Sequence, residues 1–125
     1  MNPRWGRISS FISMNETYFK KLISEYPQLT LHEINDDGQH YLCATYPGLL
    51  HEVIQCIGSH CYVTDTWHVY HDVYKDGTIS IGDEPDRYFH NKNWAHVKKH
   101  LDRSLANIPY LLDKIRIEKE KAGIV

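Results

Sequence analysis

YVTDTWHVYHDVY, at Tyr62–Tyr74, alternates apolar side chains with aromatic and polar ones. Alternation with a period of two is typical of a β-strand that buries one face. We therefore predict a strand whose inner face fills a core and whose outer face carries rings with polar tips. The inner set is Val63, Trp67, Val69 and Val73, and the outer set is Tyr62, His68, Tyr70 and Tyr74.

Two Asp-Gly pairs predict β-hairpins. Glycine adopts the positive φ that a short hairpin turn needs, and Asp-Gly between alternating runs is a strong hairpin signal. The first hairpin joins Leu29–Ile34 to His40–Tyr46. The second joins the alternating stretch to Thr78–Gly82, and Gly82–Asp86 is expected to form a loop after it.

Helices are predicted near both ends of the chain. Ser10–Tyr26 has its apolar residues at helical spacing, and Pro27 ends the pattern. Another helix is predicted from Asn93, kinked or split by Pro109, whose ring and missing N–H disrupt helical hydrogen bonding. The short apolar run Leu49–Ile57 is predicted as a helix, with a buried strand as the alternative.

The size of the chain suits one folded unit. It has 125 residues, 42% of them hydrophobic, which is enough to bury a core without disulfides. We predict a single α+β domain over residues 1–125, in which an antiparallel sheet built from two β-hairpins packs against the N- and C-terminal helices. Residues 1–9 and 119–125 are expected to be flexible ends.

Composition and charge disfavour several classes of protein. The formal net charge of −2 creates no overall field that would attract nucleic acid or an anionic membrane. Three cysteines do not form an even disulfide framework, and the sequence has neither a signal-peptide pattern nor a run of about 18 apolar residues. We therefore expect a cytoplasmic protein that makes no contact with membranes.

Histidine is abundant, with nine residues, but its spacing does not predict a metal site. His96 and His100 share one helical face, yet lysines stand where a zinc protease of the HExxH type has its glutamate. We expect these two histidines to form a solvated basic face. His68 and His71 are three apart on a strand and therefore point to opposite sides. We predict no metal and no cofactor.

Sequence motifs for catalysis are also missing. There is no Gly-x-Ser-x-Gly elbow, no phosphate-binding loop and no dinucleotide-binding glycine pattern. We therefore assign no catalytic residue. The alternative is a histidine-based enzyme, either metal-dependent or a metal-free hydrolase or ribonuclease that uses two of His51, His68 and His90.

The outer face of the alternating strand favours binding. Tyrosine and histidine suit protein interfaces because they join an apolar body to a polar tip. We predict a protein-binding domain, by analogy an inhibitor or immunity-type protein that neutralises a toxin or nuclease. The predicted site combines this face with the loop after the hairpin: Tyr62, His68, Tyr70, Tyr74, Asp83, Glu84, Asp86, Arg87 and Tyr88. Binding of single-stranded nucleic acid and formation of a homodimer through the same face are the further alternatives.

Overall fold

The computed structural model describes residues 16–58, 60–90 and 94–124. Within these residues, a five-stranded antiparallel sheet is preceded by one helix along the chain and followed by another, so the fold is α+β, as predicted. The strands lie side by side in the order in which they follow along the chain. The elements are α1 (Glu16–Ser24), β1 (Thr30–Asp36), β2 (Gln39–Thr45), β3 (Ile54–Ile57), β4 (His60–Val73), β5 (Ile79–His90) and α2 (Trp94–Lys121).

The first predicted hairpin is confirmed. β1 and β2 pair in register from Thr30 opposite Thr45 to Asp36 opposite Gln39, which leaves two residues in the turn. Those two residues, Asp37 and Gly38, both have positive φ values of 52° and 80°. Positive φ at both central positions gives the turn a twist that matches the right-handed twist of the strands.

The helix predicted at Leu49–Ile57 is wrong, and the alternative of a buried strand is right for its last four residues. Residues 46–53 form an irregular connection, which we call the 46–53 connection, and β3 follows it. β3 lies between β2 and β4, where Ile54 and Cys56 are buried. An apolar run of this length fits a buried strand and a helix equally well, so periodicity alone did not separate them.

The loop predicted at Gly82–Asp86 is also wrong. These residues belong to β5 and pair with Thr66–Tyr70 of β4. β5 is an edge strand of the sheet, where charged side chains and Pro85 are tolerated because one side of the strand has no neighbour to receive hydrogen bonds. The second hairpin is therefore confirmed but is much longer than its apolar residues indicate.

The C-terminal helix continues through Pro109, so the predicted split of this helix is wrong. α2 spans 28 residues, and Pro109 lies on its exposed side, where water can bind the carbonyl group that loses its helical partner. The N-terminal helix is described only from Glu16, so the predicted segment 10–15 lies outside the described residues. The expected flexible end at residues 1–9 lies outside them as well.

Both helices pack on the sheet and form the core with it. α1 contributes Phe19, Leu22 and Ile23 as its buried residues, which recur at helical spacing on one face. Tyr26, just after α1, donates a hydrogen bond of 2.5 Å to Asp102 of α2 and so joins the two helices. The sheet and α2 complete the main core with Leu42, Ala44, Ile54, Cys56, Cys61, Val63, Val97, Leu101 and Ile108. A smaller core of Ile81, Leu111 and Ile115 lies between α2 and the β4–β5 hairpin.

A candidate binding surface on the β4–β5 hairpin

β4 carries one extra residue relative to β5. Thr64 lies opposite Arg87 and Thr66 lies opposite Asp86, so Asp65 is inserted as a β-bulge. Opposed residues in a ladder project to the same side, and neighbouring residues of a regular strand project to opposite sides. Arg87 and Asp86 are neighbours, so Thr64 and Thr66 project to opposite sides even though their numbers differ by two.

The bulge divides the predicted row of aromatic side chains. Tyr62 lies before the bulge, whereas His68 and Tyr70 lie after it, so Tyr62 projects to the other side of the ladder. The prediction that these three side chains form one row is therefore wrong. A period-two pattern cannot reveal an inserted residue when the residues around it, Thr64 and Thr66, are both polar.

Asp65 is held by α2. Its Oδ1 lies 3.0 Å from Nδ1 of His100, and both side chains are mostly buried. The ring of His96 packs edge-on against that of His100, with 4.6 Å between the ring centroids. The predicted solvated face at these two histidines is therefore wrong for His100, which fixes the bulge against the helix.

Beyond the bulge, one side of the hairpin is covered by α2. Trp67 donates a hydrogen bond of 3.0 Å from Nε1 to Oγ of Ser104, and Val69 packs on the smaller core with Ile81. The other side, which we call the open side, carries the alternate residues of both strands. It consists of Thr66, His68, Tyr70, Asp72, Ser80, Gly82, Glu84 and Asp86.

The polar side chains of the open side are arranged in two pairs. Nε2 of His68 lies 2.8 Å from Oδ2 of Asp86, and both side chains are more than half exposed. The hydroxyl of Tyr70 donates a hydrogen bond of 2.8 Å to Oδ2 of Asp72. This bond stabilises the protonated phenol and raises the pKa of Tyr70 to about 12. The open side thus holds its rings in place, and His68, Glu84 and Asp86 remain exposed on it.

The tip of the hairpin exposes large apolar side chains. Val73 and Ile79 face each other at the end of the ladder and are 68% and 36% exposed, and Tyr74 beside them is 50% exposed. The predicted burial of Val73 is therefore wrong. The smaller core reaches Val69 and Ile81 but stops short of the tip. Exposed apolar residues that contribute nothing to a core are candidates for contact with a partner.

Asp83 has a different role from the one predicted for it. Its side chain is only 1% exposed, so it does not belong to an accessible acidic loop. The carboxylate accepts hydrogen bonds from the backbone N–H groups of Leu50 and His51, at 2.7 and 3.0 Å, and lies 2.9 Å from Nδ1 of His51. Asp83 therefore anchors the 46–53 connection to β5 and is unavailable to a partner.

Arg87 and Tyr88 lie beyond the bulge from the open side. A terminal nitrogen of Arg87 lies 3.1 Å from Oε2 of Glu52, and both side chains are about three-quarters buried. Arg87 therefore holds the 46–53 connection, as Asp83 does. Tyr88 is 51% exposed and lies opposite Val63; because β5 has no inserted residue, Tyr88 projects to the same side of the ladder as Asp86.

The histidines considered for acid–base chemistry are held separately. His51 pairs with Asp83 and His68 with Asp86, while the side chain of His90 lies outside the described part of the chain. No three metal-binding side chains come together among the described residues.

Two of the three thiols, those of Cys43 and Cys61, are poor nucleophiles. Cys43, Cys56 and Cys61 are free and buried. Burial, with a smaller contribution from Glu52, raises the pKa of Cys43 to about 11. The hydrogen bond between Cys56 and Cys61 raises the pKa of Cys61 and lowers that of Cys56. A neutral buried thiol does not attack a substrate.

The chain was compared with known proteins on three levels. It matches no protein-family model, no curated protein and no solved structure. Neither helix in the described part of the chain combines the length and the apolar character that crossing a bilayer requires. The functional argument therefore depends on the chemistry of the β4–β5 hairpin itself.

Proposed function

We propose that the chain is a cytoplasmic binding protein that docks on a basic protein partner through the open side and tip of the β4–β5 hairpin. The observation that carries the proposal is the charge of the open side. It contains three carboxylates, those of Asp72, Glu84 and Asp86, together with His68, and it has neither lysine nor arginine. An inhibitor of the immunity type, which neutralises a toxin or nuclease, is the class of protein that fits such a surface.

The tip supplies the apolar part of the proposed interface. Binding energy is usually concentrated in a few large side chains that become fully desolvated, while polar groups around them set orientation and specificity. Val73, Tyr74 and Ile79 can act as this apolar anchor, and the carboxylates of the open side form the polar rim. The hairpin thus presents both components on one element.

The open side is also organised before binding. The contacts of His68 with Asp86 and of Tyr70 with Asp72 restrict four side chains to one arrangement. A surface that is already ordered loses less conformational entropy when a partner binds. This favours a specific interface over a merely solvated strand.

The same charge argues against the other two uses of this surface. Single-stranded nucleic acid needs cations near its phosphates, and the open side offers only the imidazole of His68. A symmetric homodimer through the open side would bring its carboxylates against their own copies. A basic partner avoids both sources of repulsion.

A pull-down from the native host, quantified by mass spectrometry, tests the proposal. The double variant His68→Ala with Tyr70→Ala is expected to fold normally, shown by an unchanged circular dichroism spectrum, and to recover at least about tenfold less partner. Tyr18→Ala removes an exposed tyrosine from α1 and is the matched control, which should retain the partner. Equal recovery by the double variant and the wild type would reject the open side as the interface.

A further inference from the structure

A groove runs between β4 and α2, on the other side of β4 from its partner β5. Its volume is about 670 Å³. β4 lines it with the consecutive residues Asp65–Val69 and with His71, and α2 lines it with one flank that includes Arg103, Tyr110 and Lys114. Side chains of successive residues in a strand point to opposite faces of the sheet. A groove lined by five consecutive residues of β4 therefore runs along the edge of the strand and not over one face.

That edge of β4 has no neighbouring strand over much of its length. β3 pairs with β4 only over His60–Val63, and one more backbone bond joins the N–H of Thr64 to the carbonyl of Val53 at 2.9 Å. From Asp65 to Val73, no strand in the described ranges pairs with this edge. Alternate residues there direct backbone N–H and C=O groups towards the groove, as an added strand requires.

The charges along the groove are unequally neutralised. Asp65 lies 3.0 Å from His100, and Glu118 lies 3.4 Å from His71, so both carboxylates already have cationic or hydrogen-bonding partners. Among the described residues, neither Arg103 nor Lys114 has a carboxylate oxygen within 4.0 Å. The groove therefore offers two cations to a ligand.

We propose that this groove binds an extended acidic segment of a partner protein, which adds to the free edge of β4 as a further strand. Backbone hydrogen bonds to β4 would hold the segment, and carboxylates at its two ends would bind Arg103 and Lys114. Apolar side chains between them would contact Trp67 and Leu111. The groove shares Thr66 and His68 with the open side but has the opposite charge preference. Its two cations and the free edge of β4 play no part in the proposed function, so the two proposals are tested separately.

The spacing of the two cations defines the ligand further. Arg103 and Lys114 are three turns apart on one flank of α2, which corresponds to about 16 Å along the helix axis. An extended chain advances roughly 3.3 Å per residue, so its two acidic residues should be about four to six positions apart. The free edge of β4 accommodates a segment of about seven residues.

A labelled peptide of about seven residues, with two acidic residues about four apart and valine between them, tests the proposal by fluorescence anisotropy. It should bind at least about tenfold more tightly than the same peptide with lysine at both acidic positions. The peptide has two alternating sets of backbone nitrogens, one facing β4 and one facing away. Methylating the set that faces β4 should abolish binding, whereas methylating the other set should leave binding nearly unchanged. Equal binding of the acidic and lysine peptides would overturn the proposal, and so would binding that is unaffected by methylation of either set of nitrogens.

Variants of the protein complete the test. Arg103→Glu and Lys114→Glu should each weaken binding of the acidic peptide about tenfold, whereas Lys99→Glu, an exposed site on α2 outside the groove, should not. Thermal unfolding of each variant shows whether the fold is retained. If a short single-stranded oligonucleotide binds in place of the acidic peptide and depends on Arg103 and Lys114, the groove recognises phosphates and the peptide proposal is wrong.

Discussion

Asp83 shows how burial changes the role of one acidic side chain. The sequence places it beside Glu84 and Asp86 in an acidic stretch, yet the three are separated by the alternation of β5. Asp83 turns towards the 46–53 connection and accepts three hydrogen bonds, whereas its two neighbours project from the open side. Stability and proposed binding therefore depend on different members of the same cluster.

Asp83→Ala is expected to lower the free energy of unfolding by about 2–4 kcal/mol, because it leaves the N–H groups of Leu50 and His51 without their acceptor. Asp86→Ala removes an exposed carboxylate and should change stability by less than about 1 kcal/mol. Urea unfolding followed by tryptophan fluorescence measures both values. Similar values for the two variants would show that Asp83 does not anchor the connection.

The phenol of Tyr70 should titrate unusually late. The hydrogen bond to Asp72 raises its pKa to about 12, whereas the pKa of a tyrosine in the unfolded chain is about 10. The bond is therefore fully present below pH of about 10 and is lost as the pH rises through about 12. NMR of tyrosine rings labelled at Cζ should show this late step disappear in Tyr70→Phe and move down in Asp72→Asn. A Tyr70 step that does not move in Asp72→Asn contradicts the assigned cause.

At the scale of elements, the bulge at Asp65 determines what each side of β4 contacts. Before it, Val63 packs in the main core, and after it Trp67 reaches Ser104 of α2. A shift of one residue exchanges the two faces of a strand. The inserted residue therefore places Val63 and Trp67, which are four residues apart, on opposite sides of the ladder.

Deletion of Asp65 should destabilise the protein much more than truncation of its side chain. Deletion removes the bulge and with it the local bend and extra twist that bring Trp67 and Val69 onto α2, at a cost above about 4 kcal/mol or with complete loss of folding. Asp65→Ala keeps the backbone and loses only the contact with His100, at a cost of about 1–2 kcal/mol. Chemical unfolding of both variants compares the two effects, and equal costs would show that the bulge itself is unimportant.

Pro109→Ala is expected to stabilise α2. The exposed position allows alanine to restore the helical hydrogen bond without disturbing the core, for a gain of about 1–3 kcal/mol. Thermal unfolding should show the gain as a higher Tm. A lower Tm would mean that the proline ring makes a stabilising contact of its own.

The sequence predicted the elements that have strong local signals. Asp37-Gly38 set the first hairpin because its backbone geometry is intrinsic to the turn, and the apolar spacing after Trp94 set α2. β3 and the second part of β5 depend on neighbours that are distant in the chain, so their residues carry no distinctive local period. The open side was identified only in part, because Tyr62 is separated by the bulge and Asp83 by burial.

Charge is distributed unevenly over the molecule although the net charge is only −2. The open side is acidic, while the groove along the edge of β4 that faces away from β5 presents Arg103 and Lys114. Local fields of this kind control association more than net charge does. One hairpin can therefore present two surfaces with different preferences.

Charge reversal on the open side should slow association with the native partner. Glu84→Lys combined with Asp86→Lys is expected to lower the association rate about tenfold at low ionic strength, with a smaller difference at high salt. Glu33→Lys combined with Asp36→Lys makes the same change in net charge at two exposed sites on β1 and serves as the control. Surface plasmon resonance at two salt concentrations measures the rates. An equal loss in the control would indicate an effect of net charge alone.

Hydrogen–deuterium exchange of the protein with and without its native partner tests docking through the open side most directly. We predict that the partner slows exchange in residues 66–74 and 79–86, while α1 and β1 exchange as in the free protein. Protection confined to α1 and β1, with exchange in the β4–β5 hairpin unchanged, would contradict docking through the open side.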